Sequence, residues 1–235
     1  MKKYLLALAV IAGAFSAAPA LAQESLETVV VTGARAEYDA QTVPHVVLVR
    51  RADHVITKVR VVCDTRELSK RRQELKDTLR SMIREAGKSG TISLGVGNEI
   101  IADLTDKMLD KVIEPDARAD TSVAIVVVKT RVAKDDLYDD ATGRIERFIE
   151  STPKSGRTEI LRESRWDLTI IGPEQYRAEL IAKIADDAKK TAAPFGPDYQ
   201  VRIEGLQHPI EWYQKGPLDL ALYIPYALTV APPVH

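Results

Sequence analysis

The histidines and the single cysteine are the residues of this sequence most suited to metal binding or nucleophilic chemistry. The histidines are His45, His54, His208 and His235, and none of them has the helical spacing of a metal-binding pair. Cys63 is alone, so neither an intrachain disulfide nor a cysteine-based zinc cluster can form. The sequence therefore predicts no catalytic residue, no cofactor-binding residue and no metal ligand.

Three other segments match binding motifs only in part. Gly87-Lys88-Ser89 ends like a phosphate loop, but position 82, where the first glycine belongs, is methionine. Gly95-Val96-Gly97 would need a third glycine at position 100, which is isoleucine. The aspartates at 135, 136, 139 and 140 lack the ligand pattern and central glycine of a calcium loop, and instead favour a helix start. We expect no nucleotide or calcium site.

Composition excludes several classes of protein. Hydrophobic residues make up 45% and charged residues 29% of the 235 residues, which excludes wholesale disorder and a polytopic membrane protein. The 33 basic and 34 acidic residues give a net charge of −1, so no global electrostatic attraction to nucleic acid is expected. Lys70-Arg71-Arg72, the densest basic run, is typical of a solvated helix face.

The first 22 residues have the order of a cleaved export signal. Two lysines precede an uncharged apolar stretch of twelve residues, 4–15, and Ala20-Leu21-Ala22 provides the cleavage site. Twelve residues span about 18 Å as a helix, too short for a bilayer core of about 30 Å. We predict a mature periplasmic chain that starts at Gln23, without a transmembrane segment, and with a possible association with the outer membrane.

Periodicity along the mature chain predicts an α+β fold with three amphipathic helices on a mixed or antiparallel sheet. Residues 23–43 are expected to form a flexible N-terminal arm or an edge strand, and residues 44–231 the folded domain, with two lobes joined near Pro115 as an option. Residues 55–62 alternate as a long strand, and Asp64-Thr65-Arg66-Glu67 has a capping-box pattern that starts the first helix. Residues 98–119 are ambiguous. The buried stripe of the third helix includes Leu180 and Ile184.

Three further residues are open to two interpretations. Trp212 and Tyr213 could pack in the core or serve an interface. Cys63 closes a strand pattern and is expected to be buried, with an intermolecular disulfide as the alternative.

The order of elements resembles the SIMPL-domain family, also called DUF541, of secreted bacterial proteins. The likeness covers residues 44–231, although HVVLVRRADHV stands where that family has a Gly-x-Gly strand. It implies a non-catalytic periplasmic or envelope protein that self-associates, sometimes into rings, with roles in stress and envelope physiology. The segments that carry it are HVITKVRVVCDTRELSKRRQELKDTLRSMI, TSVAIVVVKTRVAKDDLYDDATGRIERFI, QYRAELIAKIADDAKKTAAPFGPDYQVRIEGL and LALYIPYALTVA.

A second, local resemblance lies in the arm. ETVVVTGAR, residues 27–35, resembles the start of the plug in TonB-dependent outer-membrane receptors. Such receptors need a barrel of about 22 strands and so roughly 200 residues in strands alone, which a chain of this length with three helices cannot supply. We expect instead an arm that pairs with a partner by strand addition through Val29, Val30 and Val31.

Together these patterns predict a non-enzymatic envelope protein that forms homo-oligomers, with an envelope-stress or scaffolding role and an envelope protein as a possible partner. Two alternatives stay open. One is an exported ligand-binding protein or hydrolase whose site is assembled from scattered residues, with His208, Glu211 or Asp219 among its polar groups. The other is an accessory protein related to TonB-dependent receptors.

Overall fold

The computed structural model describes residues 29–30, 46–98, 100–163 and 165–232. The predicted signal peptide, residues 1–22, lies outside these ranges. So does the predicted arm, residues 23–43, apart from residues 29 and 30.

Within these ranges the chain forms four α-helices and thirteen strands. The helices are α1 Leu68–Ser89, α2 Leu109–Val112, α3 Tyr138–Ser151 and α4 Arg177–Ala192. The strands are β1 Val29–Val30, β2 Leu48–Arg51, β3 His54–Cys63, β4 Ile92–Val96, β5 Ile100–Asp103, β6 Glu114–Pro115, β7 Ser122–Arg131, β8 Thr158–Arg162, β9 Asp167–Thr169, β10 Gln200–Glu204, β11 Glu211–Gln214, β12 Asp219–Tyr223 and β13 Ala227–Ala231.

The main sheet is built around β3 and β7, which pair antiparallel along ten residues. Strands β4 and β6 pair with the other edge of β7, and β5 and then β1 continue the sheet beyond β4. The other edge of β3 pairs with β8 and β9. All of these pairings are antiparallel. Residues before and after Pro115 contribute strands to this one sheet.

Helices α1 and α3 cover one face of the sheet, and the core lies between these two helices and the sheet. Leu75, Leu79 and Met82 of α1 have no exposed surface, and neither does Val59 of β3 or Ile145 of α3. The α1 positions recur at intervals of three and four residues, which places them on one side of the helix. Each such side chain contributes about 1.5–3 kcal/mol when it leaves water.

The opposite face carries a smaller apolar cluster of Ile56, Val127 and Ile101. The side chain of Ile101 lies directly over Gly95. A Cβ added at Gly95 would lie 2.2 Å from Cγ2 of Ile101, too close for any side chain at this position. The glycine is therefore needed for β4 and β5 to pack with Ile101 in this position.

Helix α4 packs beside two small sheets. Strands β11, β12 and β2 form an antiparallel three-stranded sheet, and β10 and β13 form a two-stranded one. Leu180 and Ile184 of α4 are buried in the common core. Arg50 of β2 binds Glu179 of α4 at 2.5 Å and lies 5.3 Å from the ring of Tyr176, which attaches the helix to the three-stranded sheet.

The predicted α+β class is confirmed, and the three amphipathic helices correspond to α1, α3 and α4. The predicted capping box is wrong. Helix α1 begins at Leu68, and its cap residue Glu67 makes no side-chain capping bond. The carboxylate of Asp64 instead pairs with the Arg157 guanidinium at 2.6 and 2.7 Å. The ambiguous stretch 98–119 holds two short strands and the single turn of α2.

Candidate functional site

The ribbon of β10 and β13 is the most open β structure among the residues that the structure describes. Its strands pair antiparallel over five positions, from Gln200 with Ala231 to Glu204 with Ala227, and no other described strand pairs with either of them. A two-stranded ribbon is marginally stable alone in water. Its free edges also present unpaired N–H and C=O groups to another strand.

The two edges of the ribbon differ in charge. In β10, Arg202 and Glu204 form an ion pair at 2.7 Å with both side chains mostly exposed. Strand β13 reads ALTVA, without a charged residue, and Pro225 and Pro232 lie just outside it. Charged residues on an edge strand normally oppose pairing with another chain. The unprotected edge is therefore that of β13.

An exposed apolar patch lies next to the ribbon in the chain. Phe195 is 55% exposed, and Tyr199 and Val201 are each more than a third exposed. The rings of Phe195 and Tyr199 contact each other with their centres 5.6 Å apart. Exposed aromatic and branched side chains grouped in this way are typical of interaction surfaces.

The predicted interaction residues of the arm lie partly within the described chain. Val29 and Val30 form β1 and pair with Ile101 and Ile100 at the edge of the main sheet. They thus add a strand to a sheet, here to β5 of the same chain. Val31 lies outside the described residues.

Trp212 and Tyr213 belong to β11, which pairs with β12. Trp212 is 6% exposed and packs in the core. Tyr213 is half-buried, and its ring centre lies 6.2 Å from that of Tyr223. The Tyr223 hydroxyl donates to Glu211 at 2.7 Å, and burial raises the pKa of this hydroxyl.

His208, Glu211 and Asp219 do not converge on one cavity. Nδ1 of His208 is hydrogen-bonded to the carbonyl oxygen of Pro225 at 2.9 Å, and Glu211 binds Tyr223. Asp219 lines a cavity of about 350 Å³ beside Arg51 and the residues that open α3, but neither His208 nor Glu211 lines it. The structure therefore does not assemble these three groups into one site.

A second cavity contains a buried lysine that sequence reasoning did not select. It measures about 270 Å³ and is lined by Ile83, Ala86, Ser93, Leu94, Asp103, Leu104 and Lys129. Lys129 ends the apolar run of β7 and is only 5% exposed. A lysine that directly follows the apolar run 123–128 of a strand is the sequence signal that could have identified it, because lysine is rarely buried.

A buried polar cluster joins the end of β3 to α1 and to the start of β8. Oε2 of Glu74 accepts three hydrogen bonds: from Thr65 Oγ1 at 2.6 Å, from Cys63 Sγ at 3.2 Å and from the Arg157 backbone N–H at 3.2 Å. Glu74 is 8% exposed, and the hydrogen bond from Thr65 makes the largest contribution to lowering its pKa. Cys63 is fully buried, as the strand pattern predicted.

The Glu74 carboxylate also explains a glycine. Gly156 has φ +57°, and a Cβ added there would lie 2.0 Å from Cδ of Glu74. Both the backbone conformation and the space favour glycine at this position. The cluster has no cavity among those described above, so we assign it to structure and not to chemistry.

No protein-family model matches this chain, and no curated protein matches it. The SIMPL-domain resemblance therefore stays a prediction. The described residues contain no group of three or more His, Cys, Asp or Glu side chains placed to hold a metal ion. None of the helices in this part of the chain has both the length and the apolar character needed to cross a bilayer.

Proposed function

We propose that this chain is an exported, non-enzymatic protein of the periplasm or envelope that self-associates through the free edge of β13. The observation that carries the proposal is an uncharged edge strand, half exposed and unpaired on one side within the described residues. The apolar patch at Phe195, Tyr199 and Val201 supports it, since Val201 belongs to β10 and the other two residues precede that strand in the chain.

The geometry of β13 suits a two-fold dimer. If two copies of the strand pair antiparallel about Thr229, Leu228 stands opposite Val230, and Ala227 opposite Ala231. Every one of these cross-strand pairs is uncharged, so none is opposed by like-charge repulsion. A two-fold arrangement uses the same surface on both copies and therefore closes as a dimer.

Light scattering coupled to size-exclusion chromatography tests the proposal. Thr229→Lys places two lysines opposite each other at the two-fold axis, so we expect a dimer to become a monomer. Thr229→Ser keeps the strand neutral and should remain dimeric. Leu161→Lys adds the same charge to β8, an outer strand of the main sheet, where Leu161 is 46% exposed, and it should also remain dimeric.

Two results would count against this assignment. A wild-type chain that stays monomeric at high concentration would refute self-association. A dimer that survives Thr229→Lys but dissociates with Leu161→Lys would move the interface to β8.

The proposed compartment has its own test. Export with cleavage after Ala22 yields a chain whose first residue is Gln23, which intact-mass measurement of the periplasmic fraction would detect. A full-length mass in the cytoplasmic fraction would contradict export.

The alternative of a ligand-binding protein is favoured by one specific observation, the cavity that contains Lys129. A buried charged group beside an apolar wall is a common arrangement in small-molecule sites.

A further inference from the structure

Lys129 is buried without a hydrogen-bonded partner in the part of the chain that the structure describes. Its side chain is 6% exposed, and the carboxylate within reach belongs to Asp103, with Oδ1 at 4.0 Å from Nζ. That distance is too long for a hydrogen bond. Nζ is not completely enclosed by the protein and borders the cavity, where a ligand can accept hydrogen bonds from it.

The cavity beside Lys129 arises where β5 separates from β4. Their pairing ends at Gly95 with Asp103, and the last bond runs from the Leu104 N–H to the Leu94 carbonyl at 3.0 Å. Ser93, the next residue of β4, stands directly opposite Lys129 on β7, so both side chains lie on one face. The open edge of β4 thus brings the lysine and a hydroxyl to the same cavity.

The remaining wall is apolar and lies on the α1 face of the sheet, across the open edge of β4 from Lys129 and Ser93. Ile83 and Ala86 come from α1, Leu94 from β4, and Leu104 from the loop that follows β5. At about 270 Å³ the cavity lies near the lower end of the ~300–1,000 Å³ typical of small-molecule sites, so it has room for a small organic molecule.

The opposite charges of Lys129 and Asp103 limit the class of ligand that the cavity can bind. A lone carboxylate would approach Lys129 but would bring a second negative charge beside Asp103. A lone amine would bring a second positive charge beside the buried lysine. A molecule with both groups on one carbon satisfies Lys129 and Asp103 together and leaves the charge balance of the cavity unchanged.

We propose that this cavity binds a free α-amino acid with an apolar side chain. Its carboxylate accepts hydrogen bonds from Lys129 Nζ, its ammonium group donates to Asp103, and its side chain packs on Ile83, Leu94 and Leu104. Asp103 is half exposed, so it stands at the mouth of the cavity, where the ammonium group can stay partly hydrated. This inference goes beyond self-association and does not depend on it.

Titration calorimetry on the purified chain with L-leucine tests the proposal. We expect saturable binding, and we expect 4-methylpentanoate, which is leucine without its amine, to bind at least about tenfold more weakly, a loss of ~1.4 kcal/mol. Lys129→Met should weaken leucine binding by at least the same factor. Lys107→Met makes the same charge change at an exposed position outside the cavity and should leave the affinity unchanged.

Asp103→Asn tests the contact with the ammonium group separately from the contact with the carboxylate. Because Asp103 is half exposed, this substitution leaves the core unchanged. It should weaken leucine binding and strengthen 4-methylpentanoate binding, because the repulsion of the carboxylate is removed. The proposal would be overturned if leucine did not bind with a dissociation constant of about 1 mM or lower. So would equal affinity for leucine and 4-methylpentanoate in the wild type, or an unchanged preference in Asp103→Asn.

Discussion

Replacing Glu74 by glutamine is the sharpest test of how the end of β3 is held to α1 and β8. All three donors to this side chain, from Thr65, Cys63 and Arg157, converge on the single oxygen Oε2. Glutamine can place its carbonyl oxygen there and keep the three bonds. The substitution therefore removes the charge of the acceptor while leaving the shape of the cluster unchanged.

The magnitude follows from the number and type of these bonds. A hydrogen bond to a charged group contributes ~1.5–3 kcal/mol and a neutral one ~0.5–1.5 kcal/mol, so each bond loses about 1 kcal/mol. Because the thiol is a weak donor, we expect a total loss of about 2 kcal/mol from the free energy of unfolding. For a chain of this size that lowers the melting temperature by about 4–8 °C.

The loss of stability in Glu74→Gln should depend on pH in a definite direction. The hydrogen bonds lower the pKa of Glu74 in the folded chain below its ordinary value of 4.5. The ionised side chain therefore stabilises the fold above that pH, and the stabilisation is lost as the pH falls through the lowered pKa. The difference between wild type and Glu74→Gln should be largest at neutral pH and should shrink below about pH 4.5.

Urea unfolding followed by circular dichroism, at neutral pH and at several acidic values, measures this difference. Glu146→Gln on the exposed side of α3 is the matched control and should change stability by less than about 0.5 kcal/mol. If Glu74→Gln matched the wild type at neutral pH, or if its deficit grew on acidification, the assignment of a buried, charge-assisted cluster would be wrong.

Two further predictions concern packing. Gly156→Ala should cost more than about 2 kcal/mol in urea unfolding, because its Cβ meets Glu74 and its φ is positive; in a Glu74→Ala background the cost should fall to about 1 kcal/mol, the backbone strain alone. An unchanged cost in that background would show that Glu74 is not the obstacle. Ile184→Ala should cost about 2–5 kcal/mol, because this side chain is 1% exposed in the core, whereas Lys190→Ala on the exposed side of α4 should cost less than about 0.5 kcal/mol. A folded but dissociated Ile184→Ala chain would instead make this side of α4 an interface.

Local periodicity was sufficient to predict elements in both parts of the fold. Alternation over residues 55–62 indicated β3, and the spacing of Leu180 and Ile184 indicated the buried side of α4. These patterns survive because one face of each element is buried and the other is not. The capping box failed because α1 begins only at Leu68, beyond the predicted box, and Asp64 pairs instead with Arg157, 93 residues further along the chain.

The candidate sites could not be read in the same way because each is assembled from distant segments. Lys129 and Asp103 come together because β4 pairs with both β7 and β5, and no local pattern encodes that pairing. The open edge of β13 likewise depends on which strands pair, and pairing is a property of the whole fold. A local pattern in residues 227–231 cannot show whether the second edge of this strand is covered.

The single thiol of Cys63 changes character when the chain folds. In the folded protein it has no exposed surface and donates to Glu74, so an oxidant or a second thiol cannot reach it. In the unfolded chain it is free to react, with no second cysteine to offer a harmless intrachain bond. Folding and covalent cross-linking therefore compete for each new molecule in any oxidising compartment. A disulfide-linked pair of these chains would therefore have formed between molecules that were not yet folded.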